Sequence, residues 1–133
     1  MSDTNSAPGF KKYPDHSITL EPLSGAVQIE AFGQVIAETS QALLLREGKY
    51  APVAYIPRAD VRFDLLKANS DTTYCPFKGE ARYWDIQVGG DSVSAAVWGY
   101  DSPYDEVARL SNYVAFYPDR VGKILFDGQP LIP

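Results

Sequence analysis

Short runs in which apolar and polar residues alternate recur through this sequence, and no other feature constrains its fold as strongly. The clearest runs are 27–31, 82–88 and 93–97, and the last two are separated by the turn Gly89-Gly90-Asp91. Successive side chains of a strand point to opposite faces of a sheet, so a period of two predicts strands with one buried face. Many short strands joined by tight turns predict a mainly β fold, either two packed antiparallel sheets or a partly open barrel.

Two hairpins are predicted in the first half of the chain. Gly33-Gln34 matches a two-residue hairpin loop with glycine first, so we expect 27–31 to pair with 35–38. Residues 42–47 favour a helix by composition but are too few for a stable isolated one. We therefore expect them to pair with the strand-like run 53–56.

One helix and a few helical turns complete the expected elements. Pro57 can open a short helical turn, after which 61–65 alternates as a strand. Ser102 stands before a proline at the first helical position, with an acid close behind, and this pattern predicts a helix over Pro103–Leu110.

The length of 133 residues fits one domain. Residues 1–16 show no hydrophobic periodicity, so we expect a flexible tail before a single domain at 17–133. The chain has one cysteine, no apolar signal core at its start and no apolar run of the ~20 residues that cross a bilayer. A cytoplasmic protein without a membrane partner is expected.

The charge distribution argues against a nucleic-acid partner. The net charge is −5, and residues 58–85 carry five basic and five acidic side chains, so no basic stripe is available for phosphates. Structural zinc needs four Cys or His ligands, whereas the chain holds only Cys75 and His16. No metal and no cofactor are therefore expected. Asp60 and Asp64 are the obvious carboxylate pair, but two nearby arginines favour an ion-pair ladder.

The segment Thr72–Gly79 concentrates reactive side chains. It holds two hydroxyls at Thr72 and Thr73, the thiol of Cys75 and the amine of Lys78. An ammonium close to a thiol can lower the pKa of the thiol and make it a nucleophile. The alternative is that Cys75 is a small buried residue beneath a turn, since free cysteine is among the most often buried residue types.

Aromatic residues are in excess, at 13% of the chain. Tyr83, Trp84, Trp98 and Tyr100 lie on adjacent predicted strands, where they either fill the core or wall a ligand slot. Arg120 follows a turn, from which it can donate to loop carbonyls or point at an anionic ligand.

Three stretches together resemble the uncharacterised family catalogued as domain of unknown function 427, which carries a nucleotidyltransferase-like nickname. The resemblance implies a mainly β architecture similar to the Mss4-like, or β-tent, group without its zinc ligands, and no established activity. Members often have a histidine where this chain has Asp71. Nucleotidyl transfer, which the nickname implies, needs a phosphate-binding loop, and the sequence shows none. The stretches are 55–66, 72–84 and 114–121.

Three functions are compatible with these residues. The first is a small-molecule binding or sensing module with a slot walled by the two tryptophans. The second is an enzyme that uses Cys75, which would need an external resolving thiol, and the third is a structural or protein-interaction domain. The expected ligand-binding residues are Arg58, Asp60, Arg62, Thr72, Thr73, Cys75, Lys78, Tyr83, Trp84, Trp98 and Arg120, with Cys75 and Lys78 as catalytic candidates.

Overall fold

The computed structural model describes residues 5–130. Within them the chain forms one four-residue α-helix, α1 (Gly9–Lys12), and eleven strands. The strands are β1 (Ile18–Pro22), β2 (Val27–Ala31), β3 (Gln34–Thr39), β4 (Leu43–Glu47), β5 (Val53–Pro57), β6 (Leu66–Cys75), β7 (Gly79–Val88), β8 (Asp91–Gly99), β9 (Tyr113–Phe116), β10 (Lys123–Phe126) and β11 (Gln129–Pro130). Three 3₁₀ segments at Arg58–Asp60, Phe63–Leu65 and Asp105–Asn112 connect them. In this part of the chain no helix is long and apolar enough to cross a membrane.

The strands form two antiparallel sheets. The larger has seven strands in the order β1-β4-β5-β9-β8-β7-β6, and the smaller has four in the order β11-β10-β2-β3. Every pairing is antiparallel, as hairpins and alternating runs require. The prediction of a mainly β fold with two antiparallel sheets is confirmed.

The main core lies between the two sheets. Val27, Ile29 and Ile36 of the smaller sheet pack against Trp84 and Ile86 of the larger one, and all five are buried. The opposite face of the larger sheet carries a second core, which the 3₁₀ segment Asp105–Asn112 helps to cover. That core contains Leu43, Leu45, Tyr55, Ala81, Tyr83, Tyr100, Val107, Leu110 and Ala115.

The helix predicted over Pro103–Leu110 is wrong in type and in bounds. The chain instead forms a kinked 3₁₀ segment at Asp105–Asn112, in which Val107 has a non-helical φ of −131°. Tyr104 occupies the N-cap position, and no side chain makes a capping hydrogen bond there. An α-helix without a cap leaves its first N–H groups unsatisfied, and the tighter 3₁₀ turn suits a short connector.

The strand predicted at 61–65 is also wrong. Only Val61 bridges to a strand, at Ala37, and Phe63–Leu65 is a 3₁₀ turn. Phe63 packs edge-on against Trp84 at 5.7 Å between ring centroids, so its burial comes from a turn and not from a sheet face.

The first hairpin is shifted by one residue from the predicted loop. Ala31 pairs with Gln34, which leaves Phe32-Gly33 as the loop. Both loop residues have positive φ, 53° and 76°, which is the conformation of a type I′ turn. The second predicted hairpin, β4 with β5, is present.

Strand β6 has no counterpart among the predicted strands. It is an edge strand, and seven of its ten residues are exposed, so it lacks the alternation that marks a half-buried strand. Its pairing with β7 is interrupted between Asn69 and Thr72, where Ser70 and Asp71 form a bulge. The Asn69 side chain accepts a hydrogen bond from the Asp71 N–H at 2.8 Å and so closes the bulge.

Residues 5–16 pack on the domain, where the sequence predicts a flexible tail; residues 1–4 lie outside the described residues. The Gly9 N–H donates to the Pro76 carbonyl at 2.9 Å, and Ala7 is buried. A Cβ at Gly9 would lie 2.7 Å from the ring of Phe77, so only glycine allows this close approach. Residues 5–16 form a short strap that is anchored by single contacts, and such contacts leave no hydrophobic periodicity in the sequence.

Candidate functional site

The structure distributes the predicted site residues over several places instead of one slot. Trp84 is buried, with 6% of its surface exposed, and it faces the core between the sheets. The guanidinium carbons of Arg82 and Arg58 lie 4.5 and 5.5 Å from its ring centroid. Asp101 pairs with Arg58 at 3.0 Å and with Arg82 at 3.2 Å. Two paired guanidinium groups therefore lie over the Trp84 ring, on the side where a ligand slot was predicted.

Several other predicted residues make local contacts at the surface. Arg62 forms a two-pronged ion pair with Asp64, at 2.7 and 2.9 Å, with both side chains mostly exposed. Asp60 accepts a hydrogen bond from the Thr39 hydroxyl at 2.6 Å. Thr72 is exposed. Arg62 and Asp60 therefore bond to other side chains of the protein, and neither belongs to the larger polar cluster described next.

A partly buried polar cluster lies on the second face of the larger sheet and brings together other predicted residues. The indole N–H of Trp98 donates to the Tyr55 hydroxyl at 3.2 Å, and the hydroxyls of Thr73 and Tyr83 share a hydrogen bond at 2.7 Å. Burial raises the pKa of Tyr55, and the negative charge of Glu47 raises it further against the opposing hydrogen bond from Trp98. The hydroxyl of Tyr55 therefore stays protonated.

The same cluster extends to Tyr100 and Tyr117. Burial raises the pKa of Tyr100, with added effects from the neighbouring Tyr55 and Cys75. Burial also raises the pKa of Tyr117 to about 12, and its hydrogen bond to Tyr83 acts in the same direction. These phenols are neutral hydrogen-bonding groups at every physiological pH.

Lys78 is held in a nearly buried ionic chain with two residues that the sequence interpretation did not include in the site. Its amine donates to Glu47 at 2.5 Å, and the other oxygen of Glu47 lies 2.8 Å from Nε2 of His16. The side chains of Lys78 and Glu47 are only 12% and 14% exposed. The His16 ring stacks on Phe77 at 3.8 Å between centroids.

Glu47 is ionised in this arrangement. Burial raises its pKa, but the hydrogen bonds and positive charges of Lys78 and His16 outweigh that effect, so the pKa is lowered overall. Both partners lie 31 residues from Glu47 in sequence. Because of this separation, no local sequence motif predicts the ionic chain.

Arg120 donates to a strand carbonyl and does not point at an anion site. Its Nη1 bonds the Ala95 carbonyl at 2.8 Å, and its guanidinium lies 4.7 Å from the Tyr117 ring centroid. Ala95 has a positive φ of 50° at an irregularity in the pairing of β7 and β8, where Asp85 accepts its N–H at 2.8 Å. Arg120 thus supports the backbone of β8 beside Trp98.

Cys75 is half-buried at the end of β6. The nearest predicted activator, Lys78, is paired with Glu47, so its charge is already neutralised. We expect iodoacetamide to label Cys75 about tenfold or more slowly in the folded protein than in urea, because the thiol is neither free in solvent nor beside an unpaired cation. Labelling followed by mass spectrometry measures this.

The control for that measurement is the Glu47→Gln variant, which releases Lys78 from its partner. Faster labelling of the folded variant, with an apparent thiol pKa below about 8.5, would show that Lys78 can activate the thiol once it is released. Rapid labelling of the unmodified protein would contradict the prediction and favour the Cys75 enzyme.

An apolar pocket of about 240 Å³ opens where the larger sheet divides. Strand β5 pairs with β9 at only two positions, Ile56 with Val114 and Pro57 with Tyr113, and the two strands then diverge. Trp98 of β8 lines the pocket. The other lining residues are Leu23, Ile29, Leu44, Arg46, Pro52, Val53, Ala54, Phe116, Pro118 and Ile124.

The pocket contains one charged side chain, and that charge is partnered. Arg46 donates to Glu21 at 2.7 Å. The indole N–H of Trp98 is likewise taken by Tyr55. Within the described residues no three His, Cys, Asp or Glu side chains come together as a metal site would require.

Fold and site together define an all-β domain of two antiparallel sheets that carries an apolar pocket at a divided sheet and a buried ionic chain beside a tyrosine cluster. The chain belongs to the family described as a domain of unknown function (DUF427), whose model matches residues 19–127. No curated protein matches the sequence.

Proposed function

We propose that this domain binds a small, neutral, largely apolar molecule in the pocket beside Trp98. The observation that carries the proposal is the division of the larger sheet between β5 and β9, which leaves about 240 Å³ lined by aliphatic and aromatic side chains. Natural cores are packed with few voids larger than a water molecule. At about 240 Å³ the space lies just below the roughly 300–1,000 Å³ of drug-sized ligand pockets, so it suits only a small molecule.

The chemistry of the lining supports a neutral ligand. The guanidinium of Arg46 already has Glu21 as its partner, and the indole N–H of Trp98 has Tyr55. The only cation in the described lining is thus already balanced by a carboxylate, and an anionic or strongly polar ligand would lose its hydration among otherwise apolar side chains. An apolar ring or short chain loses only water contacts, and its burial is favourable by about 25 cal/mol per Å².

The proposed site keeps one wall of the predicted slot and replaces the rest of its lining. Trp98 walls the pocket as one of the two expected tryptophans, whereas Trp84, Arg58, Arg62 and Lys78 lie elsewhere. The tyrosine cluster stands behind Trp98 and fixes its ring through the Tyr55 hydroxyl. The fixed indole ring therefore restricts the shapes of ligand that fit the pocket.

Toluene is a suitable probe, because an apolar cavity of about 150 Å³ is enough for benzene. We expect saturable shifts of the backbone amide signals of Val53, Ala54 and Phe116 in ¹H–¹⁵N correlation spectra on toluene addition. Ala54→Leu should abolish them, since the larger side chain fills the pocket.

Tyr74→Ala is the matched control, because Tyr74 is exposed on β6 and remote from the lining. Toluene shifts that persist in Ala54→Leu, or that are absent from the unmodified protein, would reject the proposal and leave the structural or protein-interaction role. A benzoate shift stronger than that of toluene would reject the neutral chemistry.

The proposed setting follows from composition. A single cysteine cannot form an internal disulfide, which suits the reducing cytoplasm. A net charge of −5 with balanced charges across 58–85 suits a small-molecule partner better than a nucleic acid.

A further inference from the structure

A second, open groove lies between the N-terminal strap and the β4–β5 turn, on a different part of the surface from the Trp98 pocket. Its volume is about 540 Å³, within the range of small-ligand sites. The lining consists of Lys12, Tyr13, Pro14, Asp15, His16, Tyr50 and Phe77.

The groove is flanked by exposed aromatic rings that the fold does not need. Tyr13 is 53% exposed and Tyr50 is 74% exposed, and neither belongs to the two cores. Large apolar side chains that are exposed in one place commonly mark a binding surface. Tyr13 lies 6.3 Å from Phe77, whereas Tyr50 has no aromatic neighbour at such a distance among the described residues, so a space remains beside its ring.

The polar groups of the groove are mixed in kind and balanced in charge. Lys12 supplies donors, Asp15 supplies acceptors, and their charges cancel. The Lys12 amine lies 5.6 Å from the Tyr13 ring centroid, where it would repel a cationic ligand from that face. Neither a cation nor an anion is favoured here.

His16 adds a second, unengaged ring nitrogen. Its Nε2 lies 2.8 Å from Glu47, which as a carboxylate can only accept, so Nε2 donates to it. Nδ1 has no hydrogen-bond partner among the described residues. Stacking on Phe77 fixes the ring plane.

We propose that this groove binds a neutral saccharide, with Tyr13 and Tyr50 against the C–H faces of its rings and His16, Asp15 and Lys12 bonded to its hydroxyls. A sugar ring presents apolar faces and edges that both donate and accept hydrogen bonds, which matches this lining. The groove is open to solvent, which leaves room for a chain to continue beyond one unit. The Trp98 pocket is a separate site, so either proposal can fail alone.

The test is a titration of ¹⁵N-labelled protein with three disaccharides, namely maltose, cellobiose and N,N′-diacetylchitobiose. We expect at least one to shift the amide signals of residues 12–16 and 50 saturably, with a dissociation constant on the order of 1 mM, or about 4 kcal/mol. Tyr50→Ala should weaken binding about tenfold or more, and far-UV circular dichroism checks that it is folded.

Tyr74→Ala is again the matched control, since this tyrosine is 59% exposed and does not line the groove, and it should leave the affinity unchanged. The proposal is overturned if none of the three sugars shifts these signals. It is equally overturned if Tyr50→Ala binds as the unmodified protein does. Saturable shifts from a proline-rich peptide without shifts from sugars would assign the aromatic groove to a peptide instead.

Discussion

Replacing Trp84 with alanine is expected to lower the free energy of unfolding by about 3–5 kcal/mol, the usual cost of truncating a large buried aromatic side chain. The ring is 6% exposed, contacts Phe63 edge-on and lies beneath the guanidinium groups of Arg58 and Arg82. Its removal leaves a cavity between the sheets and takes away the aromatic face beside both cations. Urea denaturation followed by circular dichroism measures the loss.

Trp98→Ala is the comparison for this prediction. Trp98 is half-buried and already borders the pocket, so its truncation enlarges an existing space and should cost less than the truncation of Trp84. A loss below about 1 kcal/mol for Trp84→Ala would show that the ring is not part of the core.

Glu47→Gln is expected to lower the free energy of unfolding by about 2–3 kcal/mol, somewhat below the 3–5 kcal/mol for a fully buried ion pair. The neutral amide leaves the amine of Lys78, 12% exposed, without its carboxylate. In a double-mutant cycle with Lys78→Met, the double variant should be more stable than the sum of the two single losses predicts. We expect a coupling energy of about 1–3 kcal/mol.

The exposed pair of Arg62 and Asp64 is the matched control, with side chains 52% and 62% exposed. A cycle of Arg62→Gln and Asp64→Asn should give a coupling energy close to zero, as surface pairs usually do. Equal coupling energies in both cycles would contradict the larger contribution expected from the less exposed pair of Glu47 and Lys78.

The Glu47 contribution should depend on pH in one direction. Because the pKa of Glu47 is lowered in the folded state, its stabilising effect is fully present above the unfolded value of about 4.3. The stabilising effect is lost as the pH falls through the pKa of Glu47 in the folded protein. The stability difference between the unmodified protein and Glu47→Gln should therefore narrow in acid, and a constant difference down to pH 3 would reject this origin.

The fold was predictable where apolar and polar residues alternate in the sequence. In β2 every second residue is fully buried, whereas β7 and β8 carry buried residues on both faces. The second hairpin was predicted because residues 42–47 are too few for a helix and precede a strand-like run. Strand β6 was not predictable, since an edge strand that is exposed on both faces has no such period. The strap was missed because isolated contacts at Ala7, Gly9 and His16 leave no pattern.

The site was only partly predictable. Trp98, Lys78 and Thr73 were selected from residue type and position, and the structure places each in a pocket or polar cluster. Their partners Glu47 and Tyr55 could not be selected, because strand pairing across long sequence distances creates those contacts. Trp84 and Trp98 were expected to wall one slot with Arg58 at its rim, but Trp84 is buried in the core and Arg58 lies over its ring.

The interruption in β6 has a consequence for how copies of this protein behave at high concentration. An edge strand ten residues long offers a row of free backbone groups, on which another chain can add itself as a strand and begin aggregation. Ser70 and Asp71 break that row into two four-residue stretches, and Asp71 places a negative charge between them. Neither stretch is long enough to support a stable intermolecular ladder, so the bulge works as a built-in guard against self-association.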